Sequence, residues 1–190
     1  MATSQSQLEA KIQTLQKETQ FYLREIKEYI EKLPKSKNIN VISYFTTSLN
    51  ISHSLEQESI CLGSYHIYNI GNKPLLNPYI SIKMPENSPF SFSGRYVREG
   101  FSQNFNGPNE WIRLANGTNK NVFLLKPLSK MELKPNEILS FSNFQIKWSP
   151  NESYSGSITG FTYCDQLQDG IAAVNPIHLS VISLGQEESS

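Results

Sequence analysis

Apolar residues recur along the first part of the chain at Leu8, Ile12, Leu15, Tyr22, Ile26, Tyr29 and Leu33, in alternating steps of four and three, with Thr19 filling the polar gap. This is the spacing of a heptad repeat, with Ile12, Thr19, Ile26 and Leu33 at a positions and Leu8, Leu15, Tyr22 and Tyr29 at d. A repeat of about 3.5 residues keeps one seam facing a partner helix over several turns. Leu23 and Ile30 widen the seam at e positions. The e and g sites carry no complementary charge pairs, which argues for a trimer, tetramer or antiparallel bundle rather than a simple parallel dimer. Ser4 or Ser6 is expected to cap the start and Pro34 to mark the stop, with Lys32, Lys35 and Lys37 complementing the helix dipole. A helix of this length is marginal alone in water, so the seam needs cover. Three covers are open: other copies of the chain, a different protein, or the chain's own β region.

After a linker at 34–38, helical periodicity stops. Short β-rich runs alternate with Gly, Pro and Asn turns, predicting strands at 41–51, 59–70, 79–84, 90–97, 111–114, 121–125, 138–148, 157–163 and 177–184. Phe45, Leu49 and Ile51 share one face of their strand, as do Ile80, Ile82 and Met84. Between Phe141 and Phe144 the apolar positions switch parity, which predicts a bulge at Ser142 and Asn143. Many strands with no intervening helix predict a mainly β protein. The expected fold is an antiparallel β-sandwich, immunoglobulin-like or jelly roll, preceded by an amphipathic, coiled-coil-like helix. The division is 1–37 for helix and linker, 38–184 for the sandwich and 185–190 for a polar tail.

Within the β region, Tyr68-Asn69-Ile70-Gly71-Asn72-Lys73-Pro74, followed by Asn77, Ile80, Ile82, Pro85 and Phe90, resembles the asparagine-any-glycine, turn, strand, proline signature of immunoglobulin-like modules of bacterial surface and adhesion proteins. Leu133-Lys134-Pro135-Asn136-Glu137 resembles their later turn, with Asn136 where those modules usually have glycine. The resemblance covers about residues 68–90 and 133–141. It implies the sandwich fold and no particular ligand.

Charge narrows the partners. Lys plus Arg number 17 and so do Asp plus Glu, so no bulk field favours nucleic acid or an anionic membrane. Met1 to Gln7 are polar, and no run approaches the ~20 apolar residues of a membrane span. The expectation is a soluble protein made in the cytoplasm, free to enter a particle or coat layer. Cys61 and Cys164 are too few for a disulfide framework and are read as small buried hydrophobes, with a bridge as the alternative. Sequons at Asn50, Asn116 and Asn151 would matter only in a secreted eukaryotic protein.

Catalytic chemistry finds little purchase. His53, His66 and His178 stand singly without zinc spacing, and His66 reads as a half-buried, hydrogen-bonded strand residue. Ser155-Gly156-Ser157 reads as a turn before a strand. Asp165 to Gly170 lacks the alternating acidic ligands of a calcium loop and reads as an Asp-Gly turn. No catalytic residue, metal ligand or cofactor is assigned.

The segment 90–114 stands out instead, with Phe90, Phe92, Tyr96, Phe101, Phe105 and Trp111 among Arg95, Arg98 and Arg113. Aromatic and Arg side chains dominate recognition surfaces. Arg98, Phe101, Phe105 and Arg113 are therefore the candidate partner-binding residues, against the alternative that Phe90, Phe92 and Trp111 fill the core. The expected function is a non-enzymatic structural or interaction protein, self-assembling through the helix and presenting the β-domain to an unknown protein or glycan. The alternatives are a carbohydrate-binding module or hydrolase using 90–114, and a regulatory protein whose helix docks on a larger machine.

Overall fold

The computed structural model describes residues 2–32, 39–52, 57–86, 88–98, 110–115, 119–149 and 153–181; within the helix, side chains are described for 11–25 and 28. The chain divides into two units, Met1–Lys37 and Asn38–Ser190.

In the first unit, α1 (Ala2–Lys32) is one helix of 31 residues. Its backbone is already helical ahead of Ser4 and Ser6, so neither serine stands at the cap position expected for it. Leu33 and Pro34 lie outside the described residues. No Gly or Pro interrupts the span, which is what lets a single helix run so far.

The second unit is mainly β. Its strands are β1 (Val41–Asn50), β2 (Ser59–Asn69), β3 (Leu75–Leu76), β4 (Tyr79–Lys83), β5 (Ser91–Ser93), β6 (Tyr96–Arg98) and β7 (Trp111–Arg113). There follow β8 (Val122–Pro127), β9 (Glu132–Leu133), β10 (Ile138–Trp148), β11 (Tyr154–Cys164), β12 (Leu167–Ala172) and β13 (Ile177–Val181). A four-stranded sheet has the order β1-β2-β10-β5, and a seven-stranded sheet the order β12-β11-β4-β8-β7-β6 with β13 also beside β11. β3 and β9 form a separate pair. All pairings are antiparallel except β6 with β7.

Side chains of the two large sheets meet directly. Ser43 Oγ of β1 and Tyr65 Oη of β2 both hydrogen-bond Thr162 Oγ1 of β11, at 2.6 and 3.0 Å, and all three residues are fully buried. Trp111 of β7 packs edge-on against Phe141 of β10 with ring centroids 5.4 Å apart. Glycine at 160 makes one of these approaches possible, because a Cβ there would lie 2.3 Å from Tyr65 and 2.7 Å from Phe45.

The predicted bulge is present: the β10–β2 register shifts between Phe141 and Phe144, and Asn143 takes φ of 61°. Both phenylalanines thereby face the core although they stand three positions apart, an odd spacing that would put them on opposite faces of a regular strand. Three other expectations are corrected. The predicted strand at 90–97 is two strands in different sheets, β5 pairing with β10 and β6 with β7; the chain crosses between them at Gly94, where a Cβ would press on Phe141 at 2.7 Å. Ser155-Gly156-Ser157 is no turn but lies inside β11, with Gly156 leaving room for Phe90 and Pro85. Only Asp165 and Gln166 form the turn expected from Asp165 to Gly170, since β12 begins at Leu167.

Two asparagine side chains tie together segments distant in sequence. Asn69 is fully buried; its Nδ2 donates to Lys73 O and Leu133 O at 2.8 and 2.9 Å, and its Oδ1 accepts from Gly71 N at 3.0 Å. Asn136, with φ of 62°, donates its backbone N–H to Asn69 O, so the two segments that carry the immunoglobulin-like resemblance meet at Asn69. Between β12 and β13, Val174 N donates to Ser43 O, and the Asn175 carboxamide accepts from Phe45 N and donates to Phe45 O, both at 2.8 Å. This side chain pairs with β1 as a neighbouring strand's peptide would. Asn175→Ala is expected to lower stability by about 1–2 kcal/mol and to speed hydrogen exchange of the Phe45 amide. Unchanged exchange at Phe45 would mean that the Asn175 bonds do not hold in solution.

Candidate functional site

Three features of the described residues are candidates for function. The first is the helix seam. Ile12, Leu15, Tyr22 and Leu23 are exposed at 47%, 55%, 61% and 53%. Thr19, the polar member of the seam, donates its hydroxyl to Leu15 O at 2.8 Å, so burying it against a partner would orphan no donor. A shallow groove on this face is lined by Ile12, Leu15, Gln16, Thr19 and Gln20. The helix backbone continues through Leu8, Ile26 and Tyr29, whose side chains lie outside the described residues, as does all of Leu33. Sequence reasoning passed over Phe21, which is 48% exposed and carries the Arg24 guanidinium over its ring at 5.7 Å. At 100° per residue it points well away from the seam.

The second is the segment around Arg98 and Arg113. These two are register partners in the parallel β6–β7 pair, so the fold brings them side by side. Arg98 is exposed, whereas the Arg113 guanidinium lies 4.2 Å from the Phe123 ring centroid, a cation–π contact at the edge of the core. Phe101 and Phe105 lie outside the described residues. The remaining aromatic residues turn inward: Phe90 packs edge-on to Trp148 and Tyr154, Phe92 against Phe123 and Phe144, Tyr96 against Phe141, and Trp111 is 2% exposed. Of the candidate recognition segment, the two arginines are thus brought together at a sheet edge, while the inward-turned aromatics contribute packing.

The third is the outer face of the four-stranded sheet. His66 bridges β1 and β10, with Nε2 2.9 Å from Thr46 Oγ1 and Nδ1 2.8 Å from Ser140 Oγ, and its ring stacks on Tyr44. Beside it, a shallow depression of about 280 Å³ is lined by Thr46, Thr47, Ser48, Leu62, Gly63, Ser64 and Asn143. The depression lies where the bulge displaces β10.

Burial lowers the pKa of His66 below the ordinary imidazole value. The unfolded chain, titrating near pH ~6.5, therefore takes up a proton that the folded chain resists. The His66 contribution to stability is complete above that pH and is lost as pH falls through the folded pKa. The melting temperature is expected to drop between about pH 7.5 and about pH 5.5, and His66→Gln is expected to flatten that drop. An identical pH profile for the variant would contradict this reading.

Catalytic candidates are sparse. Among the described residues no group of three or more His, Cys, Asp or Glu is arranged to hold a metal ion. Cys61 and Cys164 are both buried and unbridged; burial pushes the Cys61 thiol up to about 11 and the Cys164 thiol upward as well. Such thiols are inert rather than nucleophilic. Among the described residues no helix is long and apolar enough to cross a membrane.

No family model matches the chain, and no curated protein matches it. Two solved structures of a GH20 exo-β-N-acetylglucosaminidase from Vibrio harveyi, one in complex with N-acetylglucosamine and one of an inactive mutant, are similar to 75% of this chain at 10% identity, with TM-scores of 0.33 and 0.31. The chain spans 17% of the length of that enzyme. A likeness at this level carries no argument about fold or activity.

Proposed function

We propose that this is a non-enzymatic interaction protein in which α1 assembles copies of the chain and the β unit is displayed on the assembly. The carrying observation is the unbroken helix of 31 residues whose described seam residues Ile12, Leu15 and Tyr22 are all exposed. An isolated helix with an uncovered apolar stripe is marginal in water. The heptad regularity of the stripe favours another α1 as its cover, since an irregular protein surface places no demand on a 3.5-residue repeat. In the β unit, contacts such as Ser43 with Thr162 and Trp111 with Phe141, which link the four- and seven-stranded sheets, support an antiparallel sandwich of immunoglobulin-like or jelly-roll type. Assembly would multiply a weak site on each sandwich through effective concentration. The adjacent Arg98 and Arg113 are the contact residues that reading favours.

The test compares two substitutions that place the same charged residue on different sides of the helix. Leu15→Asp puts a charge into the seam, where burial without a counter-charge costs several kcal/mol, whereas Phe21→Asp places the same residue on the far side of the helix. Leu15→Asp is expected to dissociate the assembly and leave the β unit's melting temperature unchanged, and Phe21→Asp to do neither. If both variants keep the parental mass, the seam is not the interface. If Leu15→Asp lowers the β unit's stability without changing mass, the helix is covered by its own chain.

A further inference from the structure

The free edge of β1 carries an inference independent of the helix. Residues Ser43 and Phe45 turn backbone groups away from β2, since Ser43 O accepts from Val174 N and Phe45 N and O pair with the Asn175 carboxamide. Alternation along an antiparallel strand then turns the N–H and C=O of Thr47 and Leu49 to the same edge. Among the described residues nothing pairs with them there.

The side chains at this end are equally uncovered. Val41, Ser43 and Phe45 are buried under the other sheet, but Thr47 on the same face is exposed, Leu49 is 49% exposed and Ile51 is 46% exposed. The strand overhangs the sheet that covers its first half. Sequence parity put Leu49 and Ile51 on the same face as Phe45, and the overhang leaves that end of the face open to solvent while Phe45 is buried. An edge of this kind is normally protected by Lys, other charges, Pro or a bulge. Val41 to Ile51 contains no charged residue and no proline, and its pairing with β2 runs without a register shift.

We infer that the Thr47–Leu49 edge of β1 is a strand-addition site for an extended, uncharged peptide segment of a partner protein, with apolar side chains at alternate positions. The ladder supplies affinity and Leu49 with Ile51 supplies an apolar anchor on one face. Asn175 already satisfies Phe45 in this manner and ends the open ladder at its N-terminal side. In the register that pairs Thr47 with a second copy's Leu49, the second copy's Phe45 edge, already taken by its own Asn175, falls opposite Ile51, so a second copy is the less favoured occupant there. A free peptide brings no such obstruction.

The probe is a fluorescein-labelled, end-capped heptapeptide of alternating threonine and valine, titrated into the full chain and followed by anisotropy and by hydrogen exchange. Saturable binding is expected, with the Thr47 and Leu49 amides fast-exchanging in the free protein and protected in the complex. Leu49→Lys is expected to weaken binding at least about tenfold with no loss of folded structure, because Leu49 is half exposed. Leu128→Lys, at an exposed apolar residue beyond β8, is expected to leave binding unchanged. A peptide N-methylated at every residue, so that neither edge can donate, is expected not to bind, which separates a hydrogen-bonded ladder from apolar adhesion. Equal binding by Leu49→Lys or by the N-methylated peptide overturns the proposal, as does absence of saturable binding. Protection of Thr47 and Leu49 in the free protein also overturns it: if independent of concentration the edge is covered by its own chain, and if concentration-dependent by a second copy.

Discussion

Replacing Asn69 by alanine is expected to destabilise the β unit by about 3 kcal/mol, a fall of roughly 10 °C in melting temperature for a unit of this size. The size of the effect follows from what the side chain leaves behind. Its two Nδ2 hydrogens go to Lys73 O and Leu133 O and its Oδ1 takes the Gly71 N–H, all around a fully buried residue. Alanine orphans these backbone groups without admitting water to each of them. Asn69→Asp separates the donors from the acceptor: it keeps an oxygen for Gly71 but turns an anion toward two carbonyl oxygens. It is expected to be at least as damaging at neutral pH and partly relieved in acid, as the carboxyl regains a proton. An aspartate tolerated at neutral pH would show that the Nδ2 bonds contribute little.

Gly160→Val is expected to be more severe, about 3–5 kcal/mol, or to prevent folding. The new Cβ would lie 2.3 Å from Tyr65 and 2.7 Å from Phe45, rings that are 0% and 3% exposed and stack edge-on with each other. Neither can swing into solvent. Moving Tyr65 also breaks its hydrogen bond to Thr162, whose hydroxyl is shared with Ser43, so strain and loss of the polar contact between sheets add. Thr159→Val, one residue away in β11 and not fully buried, is the control and is expected to change stability by less than ~0.5 kcal/mol. Urea melts of the two variants decide between them. Equal stability would mean that the sheets separate at Gly160 more easily than the packed rings imply.

Local rules made much of this molecule legible. The helix was readable because its apolar spacing repeats without a Gly or Pro, and the bulge because apolar parity switches between Phe141 and Phe144. The turn at Asn136, where the resembled modules usually have glycine, has the positive φ that glycine favours. What stayed hidden depends on contacts distant in sequence. Nothing near Gly94 says that the chain leaves one sheet for the other, since the cause is the Phe141 ring against which Gly94 packs. Ser155-Gly156-Ser157 has turn composition, but its glycine answers to Phe90 and Pro85, more than sixty residues earlier in the chain. The exposure of Leu49 and Ile51 depends on where the opposite sheet ends. For the candidate sites, inward-turned Phe92 and Trp111 have the composition of a recognition surface and the position of core residues. The pairing of Arg98 with Arg113 needed the parallel β6–β7 contact to appear. Phe21 gave no periodic signal because it stands off the seam.

Light scattering of the full, unmodified chain over a range of concentrations gives the molar mass that decides whether α1 joins copies of this chain. A whole-number multiple of the 21.6 kDa chain mass, three or four for a bundle without e–g charge pairs, is the predicted result. A monomer mass at every concentration would contradict it.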